Sequence, residues 1–592
     1  MQTTWRDPET EELILRDISL DEPWALLERF STLVRLSGSD DEAAAVEYIT
    51  ERLSAWGVPY TVHHPTCLIS LPGPATLRTL GENGREFRVK TFSFSPSTDG
   101  KEVEGDLVYV PGSQASDIGE LFSAARRTDD VDLRGKVVIT EGLGIAARGL
   151  DLERSGAIAA IFINPGERIH EGITTTAWGS PDLTSVGRVP PVPVLAINRP
   201  DGQALLQALR EGPVRVAFSN QVETSWRPIP IIVAEIAGSQ AADEFVLFHG
   251  HLDSWHVGIG DNATGDATLL EIARVFQRHR DRLKRTIRIA WWSGHSHGRY
   301  AGSTWYADTF AQDLSENCVA HINCDSPGCR WATEYRDVAW MAEAADLCQT
   351  AIRDVTGQES SGARPLRAGD CSFNNLGIST YFMLSSTMPE DLVREKGYYA
   401  VGGCGGNIAW HTEDDTMEIA DRDNLLRDMR VYATVLLRTL NAPIYPLDYR
   451  ATVREIEEHL RRYQAAAGDA FDFRPSLEAA RNLGQALERF YEETEGLMDR
   501  EVDDPVVRRA NAAQRMLARF LVSVGYSRDG RFRQDPARGI PPLPELAPAL
   551  ELGQVEPGSD RYHLLRTDLT RGQNRLVWFL RQSARRLAGI VG

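Results

Sequence analysis

The sequence predicts an α/β fold: a mostly parallel sheet flanked by helices, joined to a β-rich insert and a C-terminal helical domain. Three observations carry this. Between about 226 and 445, unbroken apolar runs such as Phe245–Phe248 alternate with a long helical stretch near Ala263–His279. Apolar runs without alternation mark strands buried on both faces, as in a parallel sheet covered by helices. Between about 101 and 225, short Val/Ile-rich runs are punctuated by Gly and Pro. From about 446 onward, apolar residues recur at spacings of three and four, the period of an amphipathic helix.

Each element follows in order. The chain has 592 residues, more than one hydrophobic core organises. Residues 1–100 open with a helix over Glu42–Trp56, with Ala44, Val46, Ile49, Leu53 and Trp56 near helical spacing. Ser39, Asp40 and Asp41 supply its N-terminal cap and Gly57 its stop. The insert, 101–225, carries strands at Val137–Ile139, Ile158–Asn164 and Pro190–Ile197, with a helix-like stretch ending at Ser155-Gly156 between the first two. Strands at Thr286–Trp292 and Val319–Asn323 follow the helix near 263–279. Residues 1–100 and 226–445 therefore form one α/β domain, 101–225 the insert and 446–592 the helical domain. Stripes such as Val453, Ile456, Leu460 and Tyr463, or Leu576, Phe579, Leu580 and Leu587, read as core or dimer surface.

The net charge of −20 argues against a nucleic-acid or membrane partner. Seven cysteines without a C-x-x-C pair read as reduced thiols of a cytoplasmic protein. The N-terminus shows no signal-peptide pattern, and no apolar run is long enough to cross a membrane.

The chemistry concentrates just past the strand at Phe245–Phe248. His251 and Asp253 lie at its end, and Asp261 sits on the turn into the next helix. In open α/β sheets, sites form at the carboxyl ends of strands. An imidazole and carboxylates delivered there suit a borderline metal such as zinc. Asp253 is placed to accept a hydrogen bond from the ring nitrogen of His251 that a metal leaves free. Asp325 follows another buried strand, and His411 supplies a second imidazole. A lone His-x-Asp is weak; four ligand-type side chains at four such positions are not.

These segments resemble the zinc aminopeptidase, glutamate carboxypeptidase and transferrin receptor superfamily. Its marks here are His251–Trp255, Asp261–Gly265, Asn323–Asp325 and Trp410–Thr416. The insert resembles that family's protease-associated domain and the tail its dimerisation domain. The resemblance implies a zinc-peptidase fold, a homodimer through the tail, and two zinc ions bridged by Asp261 and a water. His251 and Asp325 would complete one metal's protein ligands, and His411 with a glutamate would hold the other.

The pattern breaks at Ser293-Gly294-His295-Ser296-His297-Gly298. Active relatives carry Glu-Glu there, a general base followed by a metal ligand. His295 takes the base position and Ser296 the ligand position. Three readings follow. His295 or His297 supplies an imidazole to the second metal, or His295 moves protons. One metal remains, with altered chemistry. Or the chain is a non-catalytic binding relative. Retention of four ligands favours a metal-dependent hydrolase of an amide or peptide C–N bond in a small molecule or short peptide. It would use one or two zinc ions or another transition metal. Glu413 and Asp370 are candidate substitute carboxylates. The glycine-rich stretch Gly402–Asn407 reads as a pocket loop, and Cys324 and Cys371 as packing residues.

Overall fold

The computed structural model describes residues 5–588, apart from 83, 113–114, 116, 122–131, 145–155, 191, 337 and 383–384. The helix-like stretch expected before Ser155-Gly156 lies outside the described residues.

The α/β core is a six-stranded sheet in the order Tyr60–His63, Ile231–Ile236, Arg285–Trp292, Ala241–His251, Cys318–Asn323, Ser379–Tyr381. Its first two pairings are antiparallel and the remaining three parallel. Ala241–His251 lies between its parallel neighbours, with His251 opposite Trp292 and His249 opposite Asn323. Three strand ends thus open on the same edge of the sheet. The helix Thr264–Arg278 covers one face, with Leu269, Leu270, Ile272 and Phe276 wholly buried. Asp40–Ala55 is the expected N-terminal helix, and the Ser39 hydroxyl accepts from the Glu42 amide at 3.2 Å. Its buried face is Ala45, Ile49 and Leu53.

A second sheet of eight strands holds the insert. It begins earlier than residue 101. Thr66–Thr79 pairs along most of its length with Arg215–Pro228, and Val89–Thr91 pairs with Val194–Ile197. Thr66–Thr79 and Val89–Thr91 carry polar residues between their apolar ones, and their partners beyond 190 define them. The third expected strand is shorter than Pro190–Ile197: it is Val194–Ile197, because the prolines before it have no N–H to donate. The sheet has cores of its own, one around Leu107, Ile139, Ile161 and Phe218 and another around Phe92, Val138 and Phe162.

The tail is four long helices, Tyr449–Ala467, Arg474–Glu495, Pro505–Tyr526 and Asp560–Leu587. Their apolar faces join the core of the six-stranded sheet in one continuous cluster running from Ile14 to Leu587. The buried Arg519 pins the join, donating from Nε to the Ser315 carbonyl at 2.8 Å and from Nη1 to that of Gly377 at 3.0 Å. No helix among the described residues is long and apolar enough to cross a membrane.

Candidate metal centre

His251 ends its strand, Asp325 follows the neighbouring strand by two residues, and His295 follows the other neighbour, ending at Trp292, by three. Asp261 stands before the helix Thr264–Arg278, preceding a cis peptide to Asn262. The turn is locked on both sides. Asp415 accepts from the amides of Gly260 and Asp261, at 2.7 and 3.0 Å. Asn262 donates to the Cys324 carbonyl at 2.9 Å and accepts from the Ser326 amide at 2.9 Å, tying this turn to the loop of Asp325.

The Asp261 carboxylate spans two imidazoles. Oδ1 lies 3.1 Å from His251 Nε2, and Oδ2 lies 3.1 Å from His411 Nε2. Asp325 Oδ2 is 3.8 Å from the same His251 nitrogen. The His295 ring stacks on that of His251, 3.8 Å between centroids. One ligand-type atom each from His251, His295 and Asp325 fall within 4.8 Å of one another.

The second halves of these rings are held. His251 Nδ1 meets a carbonyl at 2.8 Å, and His411 Nδ1 meets the Glu171 carbonyl at 3.0 Å. Nε2 is therefore the atom that each ring turns toward Asp261, the arrangement a shared metal site requires. The carbonyl on His251 belongs to Asp253, which corrects one expectation. The Asp253 carboxylate does not orient His251. It accepts from the amides of His295 and Ser296, at 3.0 and 2.8 Å, and from the Ser37 hydroxyl at 3.1 Å. A buried carboxylate gathers the donors nearest to it, and here these are the two amides that open the altered segment. Burial opposes its charge, but the hydrogen bond of His297 and the fields of His251, His297 and His295 hold its pKa low.

His295 and His297 part company. His297 is buried against Trp255, its Nδ1 3.4 Å from Asp253, away from the cluster. His295 faces the cluster, and its Nδ1 is 2.6 Å from Asp370 Oδ2. Ser303 donates to the other Asp370 oxygen. Of the two candidate carboxylates, Asp370 reaches the site through His295. Glu413 pairs with Arg88 and Lys90 instead, at 2.7 and 3.0 Å. Ser296 is buried with its hydroxyl unpartnered.

The charge balance calls for a cation. Burial, together with repulsion from Asp261, raises the Asp325 carboxyl to about 6. Burial disfavours charge on His251, but its hydrogen bond to Asp261 and the field of Asp325 override this and raise its pKa well above normal. Two buried carboxylates that force a proton onto the imidazole between them are relieved by a divalent ion. The donors fit zinc: His251, Asp261 and Asp325 at one position, with His295 beside them, and His411 with the second Asp261 oxygen at another.

The insert completes the site. Glu171 carries Lys90 at 2.9 Å and His256 at 3.2 Å, while its backbone holds His411. His170 bonds the Trp410 carbonyl and the Tyr399 hydroxyl, both at 2.7 Å. A cavity opens here, lined by Asp261, His295, Asp325 and His411 together with Phe92, Ile173 and Trp410. Gly402 is a wall residue too; a Cβ there would stand 2.8 Å from the Trp410 ring, so close packing accounts for it.

Residues 232–436 match the model of Peptidase family M28. The chain thus carries a Peptidase family M28 domain over these residues. Among curated proteins, the chain is 22% identical over 503 residues to a probable glutamate carboxypeptidase, VP8, of Zea mays, covering 73% of this chain and 68% of that one. It is 24% identical over 352 residues to the aminopeptidase NAALADL1 of Rattus norvegicus, covering 44% of this chain and 46% of the relative, so it spans under half of that protein's length. Its fold is similar to that of an aminopeptidase from Aneurinibacillus sp. strain AM-1, with a TM-score of 0.52, 20% identity, and coverage of 74% of this chain and 96% of that one.

Sequence reasoning missed Arg299, Tyr300 and Glu171. Arg299 and Tyr300 follow the altered segment directly, so inspecting its flank would have found them. Glu171 acts through its backbone, which leaves no mark on residue type.

Proposed function

We propose that this chain is a zinc-dependent hydrolase of an amide or peptide C–N bond in a small molecule or short peptide, working with an altered site. The observation that carries it is the Asp261 carboxylate set between His251 and His411, with His295 stacked on His251 and backed by Asp370. The carboxypeptidase and aminopeptidase names of its relatives agree in reaction class. His251, Asp261 and Asp325 would hold one zinc ion, and His411 with Asp261 would offer a second position. Zinc bound there supplies Lewis-acid polarisation of the scissile carbonyl and activation of water.

The chain's own residues supply the rest. With both glutamates replaced, His295 handles the proton: Asp370 fixes its Nδ1 and leaves Nε2 toward the cavity. Asp253 seats the His295 backbone. Phe92, Ile173 and Trp410 exclude water from the reacting bond. Two further proposals complete the reading. The chain is a homodimer through its helical tail, and it resides in a reducing compartment, the cytoplasm, which suits seven free, buried cysteines.

The test pairs metal analysis with activity. Wild-type protein carries stoichiometric zinc, and a screen of N-acyl amino acids and dipeptides finds chelator-sensitive hydrolysis. His295→Ala loses that hydrolysis. If zinc is retained in the variant, His295 acts on protons; if zinc is lost with it, His295 is a ligand. Absence of metal after zinc addition, or full activity in His295→Ala, overturns the assignment.

A further inference from the structure

We propose that Arg299 is the anion anchor of the cavity, and that it selects substrates bearing a free carboxylate beside the scissile amide. Arg299 is 4% exposed and lines the same cavity as Asp261, His295 and Asp325. Its Nε and Nη2 atoms are buried without a hydrogen-bond partner. Among the described residues no acid forms a salt bridge with it. Of the residues lining the cavity, it is the one with buried polar side-chain atoms left unpartnered.

A buried guanidinium without a counter-charge is costly, and burial of an ion is tolerated where a partner arrives. The identity of the free atoms says which partner. Nε–H and Nη2–H form one edge of the guanidinium, two parallel donors spaced for the two oxygens of a carboxylate. This chain uses that edge repeatedly. Arg78 grips Glu102 through Nε and Nη2, both at 2.8 Å, and Arg168 grips Asp414 in the same way, at 2.8 and 2.9 Å. Arg438 holds Glu11 likewise, at 3.0 and 2.9 Å. In Arg299 the same edge is empty.

The rest of the cavity narrows the ligand. Glu171, the wall carboxylate outside the metal cluster, is already matched by Lys90 and His256. A substrate ammonium therefore finds no waiting acid there, whereas a carboxylate finds a waiting fork. Phe92, Leu143, Ile173 and Trp410 accept an apolar side chain. The class is an N-acyl amino acid or a short peptide entering by its C-terminal residue. The step is hydrolysis: the C–N bond breaks, water supplies OH to the acyl carbon and H to the amine, and the carboxylate on Arg299 is unchanged. Only that step rests on the amide-hydrolase reading; recognition by Arg299 does not.

Calorimetric titration of zinc-loaded protein with N-acetyl-L-phenylalanine and with its primary amide tests this. Because zinc itself attracts carboxylates, the titrations are repeated on chelator-treated protein. Wild type binds the acid more tightly than the amide in both states. Arg299→Met weakens the acid by about tenfold or more and leaves the amide unchanged. Arg299→Lys, which keeps the charge but not the fork, falls between and serves alone should the Met variant not fold. Equal binding of acid and amide by wild type, binding of neither at millimolar concentration, or no effect of either variant overturns the proposal. Arg299-dependent binding in a protein that hydrolyses nothing sinks the enzymatic reading and leaves the anchor standing.

Discussion

Asp370 shows what a residue can do without touching the candidate metal. Its two oxygens serve different elements: one holds His295 Nδ1, the other takes the Ser303 hydroxyl. Burial opposes its charge, yet the field and hydrogen bond of His295 keep its pKa below the usual carboxylate value. It is therefore ionised at neutral pH and a fixed acceptor. Partners of this kind change metal affinity or activity by about ten- to hundredfold when lost. Asp370→Asn should lower turnover or zinc affinity by that order, and Ser303→Ala by less; steady-state kinetics with zinc titration separates the two effects. No change in either measurement would free His295 from Asp370. Residues of this type were half legible. His251, Asp261, Asp325 and His411 announce themselves by motif, and Asp370 could be named but not placed. Asp253 misled because its motif position is two residues from His251, while its carboxylate is governed by amides 42 and 43 residues away in sequence.

At the scale of elements, the strands with unbroken apolar runs were plain, since burial on both faces writes itself into composition. Thr66–Thr79 and Arg215–Pro228 were not, because each carries polar residues along an exposed face and is defined by its partner. The contact between the insert and the His411 loop was likewise invisible, and it carries a testable pH dependence. Burial drives the His170 pKa down to about 3, against the pull of the Trp410 carbonyl and with the help of the His411 field. The folded pKa lies below the unfolded value near 6.5, so below that pH the unfolded chain binds a proton that the folded one refuses. The stabilisation is present above pH 6.5 and lost progressively toward pH 3, by about 2 kcal/mol at pH 5. His170→Gln keeps a donor and an acceptor but does not titrate. Its urea midpoint should fall less than that of wild type between pH 7.5 and pH 5. Identical slopes would show that the insert meets the His411 loop without help from this imidazole.

At the scale of the molecule, the helical tail is not an appendage. One core runs from Ile14 to Leu587, so the tail shares its apolar interior with the metal-bearing sheet. The apolar stripes read from sequence as core or dimer surface lie in the core or packed against it. In Asp560–Leu587, Leu565, Leu569, Leu576, Leu580 and Leu587 face inward. Leu564 and Trp578 face out, 62% and 54% exposed. Trp578 is not isolated: its ring lies 4.9 Å from Phe579 and 6.1 Å from Phe520, an aromatic cluster shared by two helices. Sheltering such a cluster in a symmetric contact would stabilise it by roughly 25 cal/mol per Å² of apolar surface removed from water. The proposed homodimer puts this face against its own copy. Trp578→Glu combined with Leu564→Glu places like charges opposite one another across the two-fold. Sedimentation velocity should then find a dimer for wild type and a monomer for the double variant, with zinc content unchanged because neither residue touches the core. A wild-type monomer at tens of micromolar, or a double variant that stays dimeric, would show that this face does not join two copies.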